Sequence, residues 1–284
     1  MLRKILVPVR GDGMMHIVLG HAAALARRHH AHVVVAHCRA TPEDLLPYNV
    51  ALPAFARQTL KKQVHEAAEQ EEQQLRDDLH GIAEALGLVE TEDPPGGTAT
   101  IGFREEAGRM ADIIKHYGRL ADLTVVAKPD RDQNLGINSL KAGLFQTGRP
   151  VLMCPREAKP PPALGARIAV GWNGSLEAAR AVASTLDIVR QADTVTILAG
   201  GNAEPHGATA EELSEYYAMR GVAARIERFD ARNPGAALLQ KAGEHGADML
   251  VMGAYGHSHE RETLFGGNTQ TIVDKTKIPV MLIH

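Results

Sequence analysis

Three strand-length segments in the first half of the chain recur, in the same order, in the second. Ile5-Leu-Val-Pro-Val-Arg-Gly-Asp12 is matched by Ile168-Ala-Val-Gly-Trp-Asn-Gly-Ser175. Gly118-Arg-Leu-Ala-Asp-Leu-Thr-Val-Val-Ala127 is matched by Glu244-His-Gly-Ala-Asp-Met-Leu-Val-Met-Gly253, and Arg149-Pro-Val-Leu-Met153 by Ile278-Pro-Val-Met-Leu282. A chain that repeats its strands in this way is constrained to two copies of one unit. The spacing between copies is 163 residues at Ile5 and Ile168 but 129 at Arg149 and Ile278. The first copy therefore holds extra residues, and the stretch from Pro42 into the long helical pattern is where they fit.

Each copy alternates short apolar runs with helical periodicity, the pattern of a parallel sheet covered by helices. In the first copy, strands are expected at Ile5–Val9, Val33–Ala36, Leu88–Glu92, Ala121–Ala127 and Val151–Cys154. Helices are expected over Met14–His30, Ala54–Leu86, Arg104–Tyr117 and Leu140–Thr147, with Pro42–Pro53 irregular and a turn at Pro94–Gly97. The helix over Ala54–Leu86 repeats apolar residues at Leu60, Val64, Ala67, Leu75, Leu79, Ile82 and Leu86, and Gly87 is its stop. Its acids Glu71, Glu72, Asp77 and Asp78 read as the wet face. Pro155–Gly165 carries four prolines and reads as an extended linker. It separates an N-terminal domain, 1–155, from a C-terminal domain, 166–284.

In the second copy, strands are expected at Arg167–Gly171, Thr194–Leu198, Val222–Phe229, Met249–Met252 and Pro279–Ile283. Ser175 fits an N-cap for a helix over Leu176–Gln191, Thr209-Ala-Glu-Glu212 fits a capping box, and Asn233-Pro234 fits an N-cap followed by a first-turn proline.

Composition excludes several classes. The net charge is −3 with no dense basic block, which argues against a nucleic-acid binder. No apolar run approaches the roughly 20 residues of a membrane span, and the N-terminus runs straight into a strand without a signal-peptide core, so a soluble cytoplasmic protein is expected. Two cysteines, Cys38 and Cys154, each end an apolar run and read as buried thiols rather than a disulfide or metal site. The pairs in His29-His-Ala-His32 and His257-Ser-His259 lack accompanying cysteines or carboxylate pairs, and the first reads as a solvated helix end. No catalytic triad, Walker lysine or Gly-x-Gly-x-x-Gly fingerprint is present, so the expectation is no enzyme, or at most a slow ATPase.

One stretch carries binding chemistry. After the strand Met249–Met252 come Gly253-Ala-Tyr-Gly256, a loop, then Gly266-Gly267-Asn-Thr269 opening the helical Gln270–Lys275. Glycines let backbone approach a ligand, and a helix N-terminus offers free N–H groups to an anion. Arg261 in the loop suits an oxyanion with its planar fork, and His257 lies beside it.

Taken together, the Ile-Ala-Val-Gly-Trp-Asn-Gly-Ser opening, the Ala-Asp-Met-Leu-Val-Met-Gly strand, Gly253-x-x-Gly256, nine residues, Gly266, and the last Ile-Pro-Val-Met-Leu-Ile strand resemble a universal stress protein domain. The resemblance covers the second half nearly end to end and the first half at its strands, so the chain resembles a tandem universal stress protein. The implied fold is α/β: two five-stranded parallel sheets of Rossmann-like type, with the final strands paired as an intramolecular pseudo-dimer. The implied cofactor is ATP or another adenine nucleotide (AMP or ADP), with Mg possible, at the carboxyl ends of the strands. Carried over, its site takes Asn173, Gly174 and Ser175 from the first turn, Gly253, Gly256, Gly266 and Gly267 from the loop, and Asn268 and Thr269 from the helix start. A stress-response role with an unidentified protein partner, and homodimerisation of the whole chain, follow from the same resemblance.

Two departures thin that chemistry. Asn173 stands where the family usually has Asp, which weakens metal binding, and Gly267 stands where a Ser or Thr hydroxyl is usual, leaving Thr269 as the nearest one. The first half departs further. Arg10 replaces the Asp, Ala127-Lys-Pro-Asp130 replaces the Gly-x-x-Gly turn, and Pro129 has no N–H to donate. Its nucleotide site is read as degenerate, with Arg10 and Lys128 left as partners for a different anion. The competing reading is a non-nucleotide structural or interaction protein, with the long helix either covering the sheet or serving as a partner surface.

Overall fold

A computed structural model describes residues 1–9, 14–39, 54–133, 135–157, 159–200, 207–256 and 267–284. The strands are β1 (Lys4–Val9), β2 (His32–Arg39), β3 (Val89–Glu90), β4 (Thr100–Ala107), β5 (Leu123–Ala127) and β6 (Val151–Cys154) in the first half. The second half has β7 (Arg167–Trp172), β8 (Thr194–Gly200), β9 (Ala224–Phe229), β10 (Met249–Gly253) and β11 (Val280–Ile283). The helices are α1 (Met15–His29), α2 (Ala54–Ala85), α3 (Met110–Gly118), α4 (Ile137–Gln146), α5 (Leu176–Val189), α6 (Ala210–Ala218), α7 (Pro234–Glu244) and α8 (Gly267–Lys275).

All the strands join one sheet in the order β3-β4-β2-β1-β5-β6-β11-β10-β7-β8-β9. Within each half the pairings are parallel, and five strands of each half keep the same order about its first strand; the first half adds β3 at its edge, six strands where five were expected. The halves meet where β6 and β11 run antiparallel, with Leu152 opposite Met281 between Met153–Val280 and Val151–Leu282. Every residue of both strands is buried. The apolar core is continuous across this seam on both faces. One face joins Leu25, Leu152, Ile188 and Met281, and the other joins Leu140, Leu144, Val280 and Ile272.

The repeated Ala-Asp dipeptide has a structural cause. Asp122 Oδ2 accepts the N–H groups of Arg3 and Lys4 at 2.8 and 2.9 Å, ahead of β1. Asp248 accepts those of Gly165 and Arg167 at 2.7 and 2.8 Å, ahead of β7. Each carboxylate thus pins the start of its half's central strand. The proline linker is held as well, since Pro160 packs directly on Gly20 of α1.

Several sequence readings hold locally. Ser175 Oγ accepts from Ala178 N, Thr209 and Glu212 form the reciprocal capping box, and Asn233 caps the helix that starts at Pro234. Cys154 is buried, and half-buried Cys38 donates to Gly108 O at 2.7 Å. Leu75, Leu79 and Ala83 bury the C-terminal part of α2 against the sheet, so that part is a cover. Asp77 and Asp78 are exposed. Residues 42–53 and the side chains of Leu60, Val64, Ala67, Glu71 and Glu72 lie outside the described residues.

Two readings are corrected. Arg104–Ala107 is strand, not helix: all eight residues of β4 pair with β2, and that pairing overrides the helix preference of Arg104, Glu105 and Glu106. The reading of His29–His32 as a solvated helix end holds for exposed His30 but not for its neighbours. His29 is buried, and His32 Nδ1 meets Thr100 Oγ1 at 2.8 Å.

Burial, then the neighbouring Arg28 guanidinium, holds His29 down to about 4 from an ordinary 6.5. The unfolded chain therefore binds this proton first, so His29's contribution is intact above pH 6.5 and is lost as pH falls toward about 4. Chemical denaturation at a series of pH values should show wild type losing stability across that window and His29→Gln losing less. At neutral pH, Asp248→Ala should cost about 2–4 kcal/mol, because it orphans two buried N–H groups, with a smaller loss for the less buried Asp122→Ala.

Candidate functional site

The carboxyl ends of β7 and β10 adjoin where the chain leaves them toward opposite sides of the sheet, the usual crevice of an open α/β fold. After β7, Gly174 turns at φ 73°, and a Cβ there would stand 2.9 Å from Gly207 N. Asn173 Oδ1 accepts from Ser175 N at 3.1 Å, and Ser175 Oγ caps α5 through Ala178 N at 3.2 Å. Trp172 Nε1 fastens the far wall by donating to Ala208 O at 2.9 Å.

After β10, Gly253 lies against the first turn of α5, where a Cβ would come within 2.5 Å of Ala178 N and of the Glu177 carbonyl carbon. Only glycine fits. Tyr255 takes a left-handed φ of 67°, and its N–H donates to Thr269 Oγ1 at 3.4 Å. That bond ties the turn to the start of α8. The Tyr255 ring is buried 5.2 Å from Phe145 of the first half and 6.4 Å from His284, and burial raises its phenol pKa. Gly267 opens α8 with nothing within 4 Å of a Cβ placed there.

The structure therefore gathers Asn173, Gly174, Ser175, Gly253, Gly256, Gly267, Asn268 and Thr269 around one crevice. It also shows how several polar atoms are already used. Thr269 is buried on Tyr255 N, and Asn268 Oδ1 accepts from Gly235 N of α7 at 3.2 Å, bracing the neighbouring helix instead of its own. Among the described residues, the backbone N–H groups at the start of α8 are what this side of the crevice offers an anion. His257, Arg261 and Gly266 lie outside the described residues, as do Arg10 and Asp12. Glu177 and Tyr255 were not expected from the sequence. Glu177 was signalled only as an acid in the first turn after the Ser175 cap, and Tyr255 only by its place inside the Gly-x-x-Gly turn.

The equivalent turn of the first half is engaged by its own backbone and by the second half. Asp130 and Leu135 exchange two backbone hydrogen bonds of 2.9 Å, pinning the loop before α4. Lys128 is not left for an anion as expected: its Nζ donates to Asp274 O at 2.6 Å and Thr276 O at 3.3 Å, at the C-terminus of α8. That end carries partial negative charge, so the ammonium is well placed there. Arg131 Nε adds an ion pair with Asp274 at 3.0 Å. Burial lowers the Lys128 pKa. Among the described residues no cluster of His, Cys, Asp and Glu is arranged for a metal, and no helix is long and apolar enough to cross a membrane.

A duplicated, doubly wound α/β unit with a glycine-shaped crevice in one copy is the class these features define. The model of the universal stress protein family matches residues 1–127 and 166–284, and the chain belongs to that family, carrying its unit twice. The chain is similar to a universal stress protein from Archaeoglobus fulgidus DSM 4304, at 15% identity, covering 99% of this chain and 95% of that one with a TM-score of 0.75. It is also similar to a putative universal stress protein from Pseudomonas aeruginosa UCBPP-PA14 (17% identity, 99% and 93% covered, TM-score 0.56). A functionally unknown protein from Pseudomonas aeruginosa PAO1 matches at 16% identity, with 99% and 92% covered and a TM-score of 0.56. These likenesses concern the fold. Among curated proteins none matches the sequence.

Proposed function

We propose that the C-terminal domain, 166–284, binds an adenine nucleotide, and that the N-terminal domain, 1–155, is its structural partner without a nucleotide of its own. The observation that carries this reading is the contrast between two equivalent crevices. In one, the turn after β5 is spent on the Asp130–Leu135 bonds and on Lys128, while in the other the Gly253–Gly256 turn lies beside the start of α8. The phosphates of ATP, ADP or AMP would face Gly256 and the N–H groups from Gly267 onward, with Asn173 near the sugar or a Mg ion. Arg261, His257 and Gly266 belong to the loop between. Such a protein reports or responds to nucleotide level in a cytoplasmic stress response.

A second reading, an interaction protein that takes no nucleotide, is favoured by one observation: Asn268 and Thr269 spend their side chains on the fold. Analysis of small molecules released on denaturing the purified protein, with thermal shift on adding ATP and Mg²⁺, separates the two. Gly267→Asp is the informative variant. A carboxylate in the first turn of α8 complements the helix dipole and should hold or raise the melting temperature by about a degree or two. The same charge should abolish the ATP-induced shift. No released nucleotide and no shift in wild type would select the second reading.

A further inference from the structure

Both glycines of the Gly-x-x-Gly turn face the same residue. Gly253 lies against the backbone and Cβ of Glu177, at 2.5 and 2.8 Å from where its own Cβ would be. Gly256 lies against the Glu177 carboxylate: a Cβ there would collide with Oε2, with the carboxyl carbon 3.1 Å away. The surface expected to cradle a phosphate is thus occupied by an acid of the same chain. Glu177 is held there by its place in the first turn of α5, where the positive end of the helix dipole favours a carboxylate. Among the described residues, no cation or hydrogen-bond donor is paired with its side chain. The first turn of α1, the matching helix of the first half, has no acid.

We propose that Glu177 sets which anions the C-terminal crevice admits, by placing a negative charge where a phosphate would lie. The residue is a specificity determinant, not a catalytic one. An incoming phosphate must displace the carboxylate or approach it, and the penalty grows with each negative charge on the ligand. In the absence of a divalent cation the crevice should therefore disfavour a polyphosphate relative to a monophosphate, and leave a neutral nucleoside unaffected. The identity of the nucleoside rests on the function proposed above; the charge selection does not.

The test is titration calorimetry of the full chain in the presence of EDTA, with inorganic tripolyphosphate, ATP, AMP and adenosine as separate probes. Glu177→Gln keeps the shape and removes the charge. It should bind tripolyphosphate and ATP at least about tenfold more tightly than wild type, with a smaller gain for AMP and none for adenosine. Glu177→Asp keeps the charge on a shorter arm and should retain the wild-type order of preference. Unchanged or weaker tripolyphosphate binding by Glu177→Gln, or none by either protein, overturns the assignment. A gain for tripolyphosphate with no advantage for ATP over it and no adenosine binding would uphold Glu177 and remove the nucleotide reading. ATP binding by wild type with no gain in the glutamine variant would do the reverse.

Discussion

The antiparallel pairing of β6 with β11 is the interaction on which the rest of the molecule depends. Either strand alone would be the exposed edge of a short parallel sheet, and such edges invite non-native pairing. Joined through Leu152 and Met281, they turn two sheets into one and make the apolar core continuous on both faces. The outer edges are managed differently: β3 is only two residues long, and β9 carries Arg225, Glu227 and Arg228. The seam also brings the crevice ends of the two halves into contact. Lys128, Arg131 and Phe145 of the first half reach Asp274, Thr276 and Tyr255 of the second.

That contact explains how a duplicated chain becomes unequal. The first half uses its crevice residues to hold the second. Lys128 neutralises the C-terminal end of α8, the same helix whose N-terminal end opens the other crevice. Phe145 packs on Tyr255, whose N–H is bonded to Thr269 at that opening. The first half therefore supports the geometry of the glycine turn from below.

Much of this was legible in the sequence. Repeated strand segments gave the two units, and the family resemblance implied the pairing of their final strands. The caps at Ser175, Thr209 and Asn233 were readable because a cap depends on residues three positions apart. The extra length of the first half was also legible, and it lies largely in α2, which spans 32 residues where its counterpart α6 spans 9. Features set by distant partners were not readable. The second half of β4, Arg104–Ala107, looked helical because nothing local announces its pairing with β2. His29 looked wet because the core that buries it is built from elsewhere in the chain. The glycines were read correctly as sites of close approach, but the thing approaching Gly253 and Gly256 is Glu177, and only the fold brings them together.

The two copies of the unit are proposed to be unequal, with a nucleotide in the second crevice only. Native mass spectrometry of the full chain titrated with ATP and Mg²⁺ counts the occupants directly. A single nucleotide per chain, saturating before any second adduct, is the predicted result. Two nucleotides per chain, or none at saturating ATP, would contradict it.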